Sequence, residues 1–207
     1  DSSINGGWIK TPELEKLASE GLRFTDFQAS ANVCSPTRAG LLTGRYQQRA
    51  GIPQVILAND KSPTHYVGLQ PSVEVTLPEL LKKAGYTTAL IGKWHLGYYP
   101  KYNPIHLGFD EFRGYISGNV DYQTHVDQQG RPDWWDGLQL KPEAGYTTHL
   151  ITQHAVEFIQ SHRDQPFFLY VAEEPVHSPY QGPNDPPIRG RFSDEALPQD
   201  TTSTRPT

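Results

Sequence analysis

The feature that most constrains this 207-residue sequence is a helical stretch, a turn and a strand-like run that recur in this order. The last such run, Phe167–Ala172, reads FFLYVA and is typical of a strand buried on both faces. It follows a helical apolar pattern over Thr147–Ser161 and a turn at Asp164–Pro166. Strands that alternate with helices pair in parallel beneath those helices, so the pattern predicts an α/β protein with a mainly parallel sheet.

Two earlier stretches repeat this order. A helix is predicted over Thr76–Ala84, where a capping-box pattern begins it, and the β-prone run Thr87–Ile91 follows. Another helix begins near Thr11 and ends near Gly21, and the segment Leu22–Gln28 is predicted to be a short strand. In a sheet of this kind the ligand site lies beyond the carboxyl ends of the strands.

Two regions lack a regular period. Residues 98–145 are rich in glycine and aromatic residues, and so long a loop in a compact domain is usually functional or mobile. Residues 178–207 are proline-rich and poor in apolar groups, so we expect an irregular tail. No second apolar core is visible, and the sequence therefore predicts one domain.

Composition excludes some classes of protein. A net charge of −5 and a pI of about 5.9 argue against a general nucleic-acid binder, which needs a basic surface. No apolar stretch is long enough to predict a membrane span, and the single cysteine excludes an internal disulfide framework. The chain begins at Asp1 without methionine or a visible signal peptide, so we expect it to be incomplete.

Cys34 stands just before the N-terminus of a predicted helix, in the run CSPTR at residues 34–38. Pro36 favours the first helical turn and Gly44 its end. A helix N-terminus attracts anions, and Arg38 adds a cation one turn along, which together suit a negatively charged ester. The alternative is a small buried thiol beside a solvated arginine.

Two further basic segments follow predicted strands. Lys93 and His95 come directly after the strand that ends at Ile91, two residues apart, and so point to the same side of an extended chain. His177 lies just past the strand that ends at Ala172. Lysine can bind an oxyanion, and histidine can exchange a proton near neutral pH. The alternatives are a surface lysine and histidines with structural roles.

Together these segments resemble the sulfatase family of the alkaline-phosphatase-like superfamily. Residues 34–45 resemble the family's Cys-x-Pro-x-Arg signature with its extension, and residues 85–97 resemble the second signature. The segments Thr11–Phe24 and around His177 are also similar to family counterparts, so the resemblance covers most of residues 1–185.

The resemblance implies an alkaline-phosphatase-like α/β/α sandwich with a mainly parallel central sheet that is incomplete in this chain. Residues 1–207 would be a partial sulfatase catalytic domain, in which residues 98–145 form a long loop region at the active-site rim. The implied activity is hydrolysis of a sulfuric ester, with a sulfated small molecule or glycan as substrate.

The implied mechanism begins with Cys34, which a formylglycine-generating maturation enzyme would oxidise to formylglycine. The hydrated aldehyde attacks the sulfate sulfur with one hydroxyl, the alcohol leaves, and the second hydroxyl then expels sulfate as the aldehyde reforms. By resemblance, Arg38 holds the formylglycine and its charge, and Lys93 binds a sulfate oxygen. His95 assists deprotonation of the diol, and His177 lies near the bridging oxygen and the leaving group.

The resemblance also implies a calcium ion. Of its ligands only Cys34, as formylglycine, is expected in this chain, and the Asp and Asn ligands are expected outside it. We therefore expect the 207-residue chain alone to bind calcium weakly and to turn over sulfate esters poorly.

Other candidate metal ligands are given non-metal roles. The loop aspartates are interpreted as solvated or substrate-contacting: Asp121, Asp127, Asp133 and Asp136. The helical histidines His149 and His154 are interpreted as structural.

The loop Tyr115–Gly137 is the candidate substrate platform. Its aromatic and polar side chains favour a carbohydrate sulfate over an aryl sulfate, although both tryptophans could instead pack the loop onto the domain. These side chains are Tyr122, His125, Arg131, Trp134 and Trp135, of which His125 is predicted to bind substrate together with Lys93 and His177.

Two rival functions stay open at this point. One is a phosphate or phosphonate ester hydrolase of the same superfamily, and the other is a non-catalytic binder of sulfated glycans with Cys34 unoxidised. By family resemblance the protein is expected to be exported, to the periplasm, the cell exterior or the lysosome. No nucleic-acid partner is expected.

Overall fold

The structure is a computed structural model that describes residues 2–190. It contains one five-stranded sheet in the order β4–β3–β2–β1–β5. The strands are β1 (Thr87–Lys93), β2 (Glu111–Tyr115), β3 (Trp135–Asp136), β4 (Gln139–Leu140) and β5 (Phe167–Ala172). Strand β1 pairs in parallel with both β2 and β5, while β3 and β4 extend the sheet as an antiparallel hairpin.

Four α-helices accompany the sheet: α1 (Pro12–Glu20), α2 (Cys34–Thr43), α3 (Leu77–Lys83) and α4 (Thr147–His162). Short 3₁₀ helices occupy Ser3–Asn5, Pro63–Tyr66, Pro100–Tyr102 and Pro104–Leu107. No helix in the described range is long and apolar enough to cross a membrane.

Two apolar cores lie on opposite faces of the sheet. Along β1 the side chains alternate: Leu90 packs into the core that contains Ala39 of α2, and Ile91 packs into the core that contains Ile151 of α4. Helix α4 therefore covers one face, and α2 with its neighbouring loops covers the other. This arrangement confirms the predicted α/β/α sandwich with a mainly parallel sheet.

Most predicted elements are present. Helix α3 begins with the expected capping box, in which the Thr76 hydroxyl accepts from the Glu79 N–H and the Glu79 carboxylate accepts from the Thr76 N–H. Helix α4 and strand β5 match their predicted bounds within two residues. Gly44 ends α2 in the left-handed conformation, as the sequence predicts.

Three expectations about the elements were wrong. Leu22–Gln28 contains no strand, because no described strand lies beside it to pair with. Its Phe24 is 71% exposed. Strand β5 is not buried on both faces, since most of its residues are only half-buried at the sheet edge. Residues 98–145 are not one loop, because they contain the core strand β2.

The predicted tail at 178–207 is only partly open to comparison. Residues 178–190 carry no helix or strand, as expected, and residues 191–207 lie outside the described range.

Candidate active site

The candidate site is built around a contact between Cys34 and His95. Cys34 is the first residue of α2, and its Sγ lies 3.0 Å from Nδ1 of His95. The other ring nitrogen of His95, Nε2, donates to the carbonyl oxygen of Ile56 at 2.7 Å. The N–H of Ile56 in turn donates to the hydroxyl of buried Ser35 at 3.2 Å. The backbone of Ile56 therefore ties the helix start to the histidine ring.

These hydrogen bonds define the chemistry of His95. Because a carbonyl oxygen only accepts, Nε2 carries the proton, and the lone pair of Nδ1 faces Cys34 in the neutral ring. Burial lowers the pKa of His95 well below its usual range, and the positive charges of Lys93, Arg38 and His177 act in the same direction. His95 is therefore a neutral hydrogen-bond acceptor aimed at position 34.

The backbone explains how His95 turns towards Cys34. Its φ of 58° is in the left-handed region, which a non-glycine residue adopts at an energetic cost. The N–H groups of Trp94 and His95 still donate to the carbonyl oxygens of Tyr115, the last residue of β2, and of Ile116, which follows it. Hydrogen bonding to this neighbouring segment therefore continues for two residues beyond β1, and the left-handed backbone of His95 directs its ring to α2.

Two cations flank Cys34. Lys93 ends β1 and is only 4% exposed; burial lowers its pKa, while the nearby Cys34 and Glu174 oppose that shift. Arg38 donates from Nη1 to the Lys93 carbonyl at 2.6 Å and to the Tyr170 hydroxyl at 3.2 Å. The predicted grouping of Cys34, Arg38, Lys93 and His95 is therefore present in the structure.

His177 occupies the rim of the site rather than its interior. It is exposed, its Nδ1 donates to the Ser178 carbonyl at 2.9 Å, and its own carbonyl accepts from the Tyr122 hydroxyl. Its charge is close enough to lower the pKa of His95. This position leaves the imidazole accessible to a ligand that enters from solvent.

Sequence reasoning missed two side chains next to these cations. Tyr170 of β5 holds Arg38, and Glu174 lies two residues beyond the end of β5. Glu174 is 3% exposed, and burial raises its pKa to about 8 although Lys93, Arg189 and Arg38 act in the opposite direction. Glu174 follows the predicted strand Phe167–Ala172, and this position beyond a parallel strand is the sequence feature that could have identified it.

Three of the four loop aspartates, Asp121, Asp127 and Asp133, are buried and correct the prediction that they are solvated or contact substrate, whereas Asp136 is partly exposed. Asp121 accepts from the backbone N–H groups of four residues, and Asp133 accepts from those of Ile116 and Ser117. Asp127 pairs with Arg131, and Asp136 pairs with Arg113 and Lys141. The first three are buried, so these carboxylates hold the loop together.

The candidate platform is also corrected. Trp134 is 2% exposed within the α4-side core, and His125 is buried with its ring centroid 4.6 Å from that of Trp134. Neither presents a face to solvent, so the predicted substrate contact of His125 does not fit its position. The alternative that the tryptophans pack the loop onto the domain matches the observed burial.

The two histidines of α4 were interpreted as structural, and their contacts agree. His154 is held between Glu143 at 2.8 Å and Glu157 at 3.2 Å, and His149 packs edge-on against Tyr146. Within residues 2–190 no group of three histidine, cysteine, aspartate or glutamate side chains is arranged to hold a metal ion. The described residues therefore do not supply an oxygen-rich calcium site by themselves.

The fold defines an α/β protein of the alkaline-phosphatase-like class, and this cluster lies at the carboxyl end of parallel strand β1. A neutral histidine and two cations surround one potential nucleophile at a helix start. Such a site can bind an anionic ester and move a proton at residue 34.

Comparison with known proteins identifies the family. The family model described as Sulfatase matches residues 1–206, and the chain therefore belongs to the sulfatase family. It is 37% identical over 216 residues to N-acetylgalactosamine-6-sulfatase of Mus musculus, covering 94% of this chain. That match spans 41% of the mouse protein, so the chain corresponds to less than half of the relative's length.

Solved structures agree with this assignment. The crystal structure of Ps i-CgsB superposes with a TM-score of 0.77 at 31% identity, covering 88% of this chain and 44% of that one. A structure of BT4656 in complex with its substrate D-glucosamine-2-N,6-O-disulfate superposes with a TM-score of 0.67 at 29% identity, covering 86% and 32%.

Proposed function

We propose that this chain carries the nucleophile-bearing part of a sulfuric ester hydrolase that acts through formylglycine formed from Cys34. The observation that carries the proposal is the 3.0 Å contact between Cys34 Sγ and the unprotonated Nδ1 of His95. A hydroxyl of a hydrated aldehyde at position 34 would find a proton acceptor there. Family membership supports the same chemistry.

The neighbouring side chains have separate roles in this proposal. Lys93, buried beside residue 34, binds a sulfate oxygen, and Arg38 holds the end of β1 and adds a permanent positive charge. His95 accepts the proton of the diol hydroxyl, since its pKa is far below its usual range and its ring is therefore neutral. Exposed His177 lies where the leaving alcohol would depart into solvent.

The test is the chemical state of residue 34. The protein is co-produced with a formylglycine-generating enzyme, and the tryptic peptide Phe24–Arg38 is analysed by mass spectrometry. Loss of the thiol sulfur with gain of an aldehyde, and hydrolysis of a sulfate ester that Cys34→Ala abolishes, are the expected results. An intact, alkylatable thiol in protein that still binds sulfated glycans would instead indicate a non-catalytic binder.

We propose a carbohydrate sulfate as the substrate. The mouse relative is named for N-acetylgalactosamine 6-sulfate, and BT4656 is bound to a sulfated glucosamine. On this chain Tyr66 is 51% exposed, and its ring lies 5.8 Å from that of Tyr99. The exposed ring of Tyr66 is connected to His95 through the buried rings of His65 and Tyr98.

The substitution Tyr66→Ala tests this exposed ring. We expect KM for a sulfated oligosaccharide to rise about tenfold, because a sugar ring loses its stacking partner, while KM for a small aryl sulfate changes little. Tyr86→Ala, which removes a partly exposed tyrosine before β1, is the matched control. Equal changes for both substrates, or a preference for phosphate over sulfate esters in the unmodified enzyme, would contradict the substrate assignment.

We also propose that the enzyme uses a calcium ion, that a formylglycine-generating enzyme converts Cys34, and that the protein is exported. The sulfatase family implies a divalent metal, but the described residues alone do not form a site for it. The roles proposed above for the side chains are therefore stated without the metal. Cys34, once converted to formylglycine, is the ligand that this chain would contribute. Residues 1–207 would form part of one catalytic domain of an exported enzyme.

A further inference from the structure

Glu174 is a buried carboxyl group without a hydrogen-bond partner. Among the described residues neither of its oxygens accepts or donates a hydrogen bond, although the residue is 3% exposed. The N–H of Val120 is directed towards it and lowers its pKa, without forming a hydrogen bond of ordinary geometry. A group left in this state costs free energy, so its presence calls for a compensating role.

The charges around Glu174 indicate what that role is. Three cations from different elements lie close enough to Glu174 to lower its pKa: Lys93 of β1, Arg189 of the segment after β5, and Arg38 of α2. Arg189 is already held by Asn119 at 2.6 Å and by the Val126 carbonyl. Lys93 also hydrogen-bonds residue 34, where an anionic ester would bind, and Arg38 donates to the Lys93 carbonyl.

We propose that Glu174 is a positioning residue of the anion site, whose carboxyl group offsets the charge of Lys93 and Arg38 and so limits how tightly the site holds sulfate. The inference rests on the proposed function and deepens it. Two uncompensated cations in a buried site would hold a doubly charged product strongly and delay its release. A carboxylate near them lowers the net positive charge and so weakens the product complex.

The charge of this carboxyl group depends on pH. Burial raises the pKa of Glu174 to about 8, so the group is mostly neutral in mildly acidic solution and gains its negative charge as the pH rises above that value. Arg38 keeps its charge throughout this range. The negative charge that offsets Lys93 and Arg38 should therefore be absent at acidic pH and present at alkaline pH.

The experiment measures the dissociation constant of inorganic sulfate by calorimetry, from about pH 6 to about pH 9, for the full-length protein. Glu174→Gln is expected to bind sulfate like the unmodified protein at the acidic end and about tenfold more tightly at the alkaline end. Glu174→Asp should retain the pH dependence. Glu173→Gln, at the exposed neighbouring position, is the matched control and should change neither end.

The outcomes separate the two proposals. The role of Glu174 is overturned if the ratio of the sulfate dissociation constants of Glu174→Gln and unmodified protein stays the same at every pH. Weaker sulfate binding by the variant at alkaline pH would overturn it as well. Absence of sulfate binding by the unmodified protein would instead contradict the proposed function. The measurement needs no turnover, and all variants are compared with residue 34 in the same chemical state.

Discussion

At the scale of single residues, the site depends on side chains that are held from two directions. Arg38 shows this best, because its guanidinium donates both to the Lys93 carbonyl and to the Tyr170 hydroxyl. Its planar group also lies 5.9 Å from the centre of the Tyr170 ring. A point charge on a flexible chain could satisfy one of these contacts but not the whole set.

Replacing Arg38 by lysine is therefore expected to reduce kcat/KM for a sulfate ester about 100-fold. The positive charge stays, but the end of β1 that carries Lys93 is no longer fixed to α2. Steady-state kinetics of the matured protein provide the measurement, with the exposed Arg49→Lys as control. Unchanged kinetics in Arg38→Lys would show that charge alone suffices.

At the scale of elements, the parallel strands approach each other closely at two glycines. Gly92 of β1 and Gly114 of β2 lie opposite each other in register, with φ values of 108° and 146°. A methyl group on Gly114 would collide with the carbonyl group of Gly92, and one on Gly92 would collide with that of Ala172. The strand end that presents Lys93 and His95 thus requires residues without a Cβ at both positions.

The substitution Gly114→Ala should lower the free energy of unfolding by about 2–4 kcal/mol, because both the backbone conformation and the strand spacing are affected. Urea denaturation of the variant gives the value. Gly182→Ala is the control, since a Cβ there would meet its nearest atom, Asp185 Oδ2, at an ordinary 3.4 Å. Equal losses for the two variants would argue against tight packing between β1 and β2.

At the scale of the whole molecule, apolar side chains remain exposed on the side of α1. Leu17 is 67% exposed and Phe24 is 71% exposed, and α1 contains no buried residue. The chain also corresponds to 41% of the length of the mouse relative. We expect such surfaces to be covered in a polypeptide of the relatives' length.

A chain extended to the length of the relatives is accordingly expected to bind calcium more tightly and to hydrolyse sulfate esters faster than residues 1–207 alone. The reason is that residues 2–190 bring together Cys34 and its neighbouring cations but no group of three metal-binding side chains. Calcium titration calorimetry and turnover after maturation of both proteins provide the comparison. Equal affinity and turnover would contradict this expectation.

Local patterns in the sequence determined much of the fold. The capping box at Thr76, the stop at Gly44 and the apolar stripe of α4 depend on neighbours within a few residues, and each was predicted correctly. The placement of Cys34 and Lys93 at element ends also followed from local signals, whereas His95 lies beyond β1 with a left-handed backbone instead of the expected extended one. Because the residues that resemble sulfatases lie in such short local segments, the amino-acid sequence was sufficient to show the resemblance.

Contacts between segments that are distant in sequence could not be predicted from local patterns and are set by the packed molecule. Strand β2 lacks a periodic pattern of its own and is a strand because β1 pairs with it, whereas Leu22–Gln28 has no described strand to pair with. The burial of Asp121, Asp133 and His125 depends on loops that converge from far along the chain. The unpaired carboxyl group of Glu174 also depends on such convergence, because burial and partners are properties of the packed molecule rather than of local sequence.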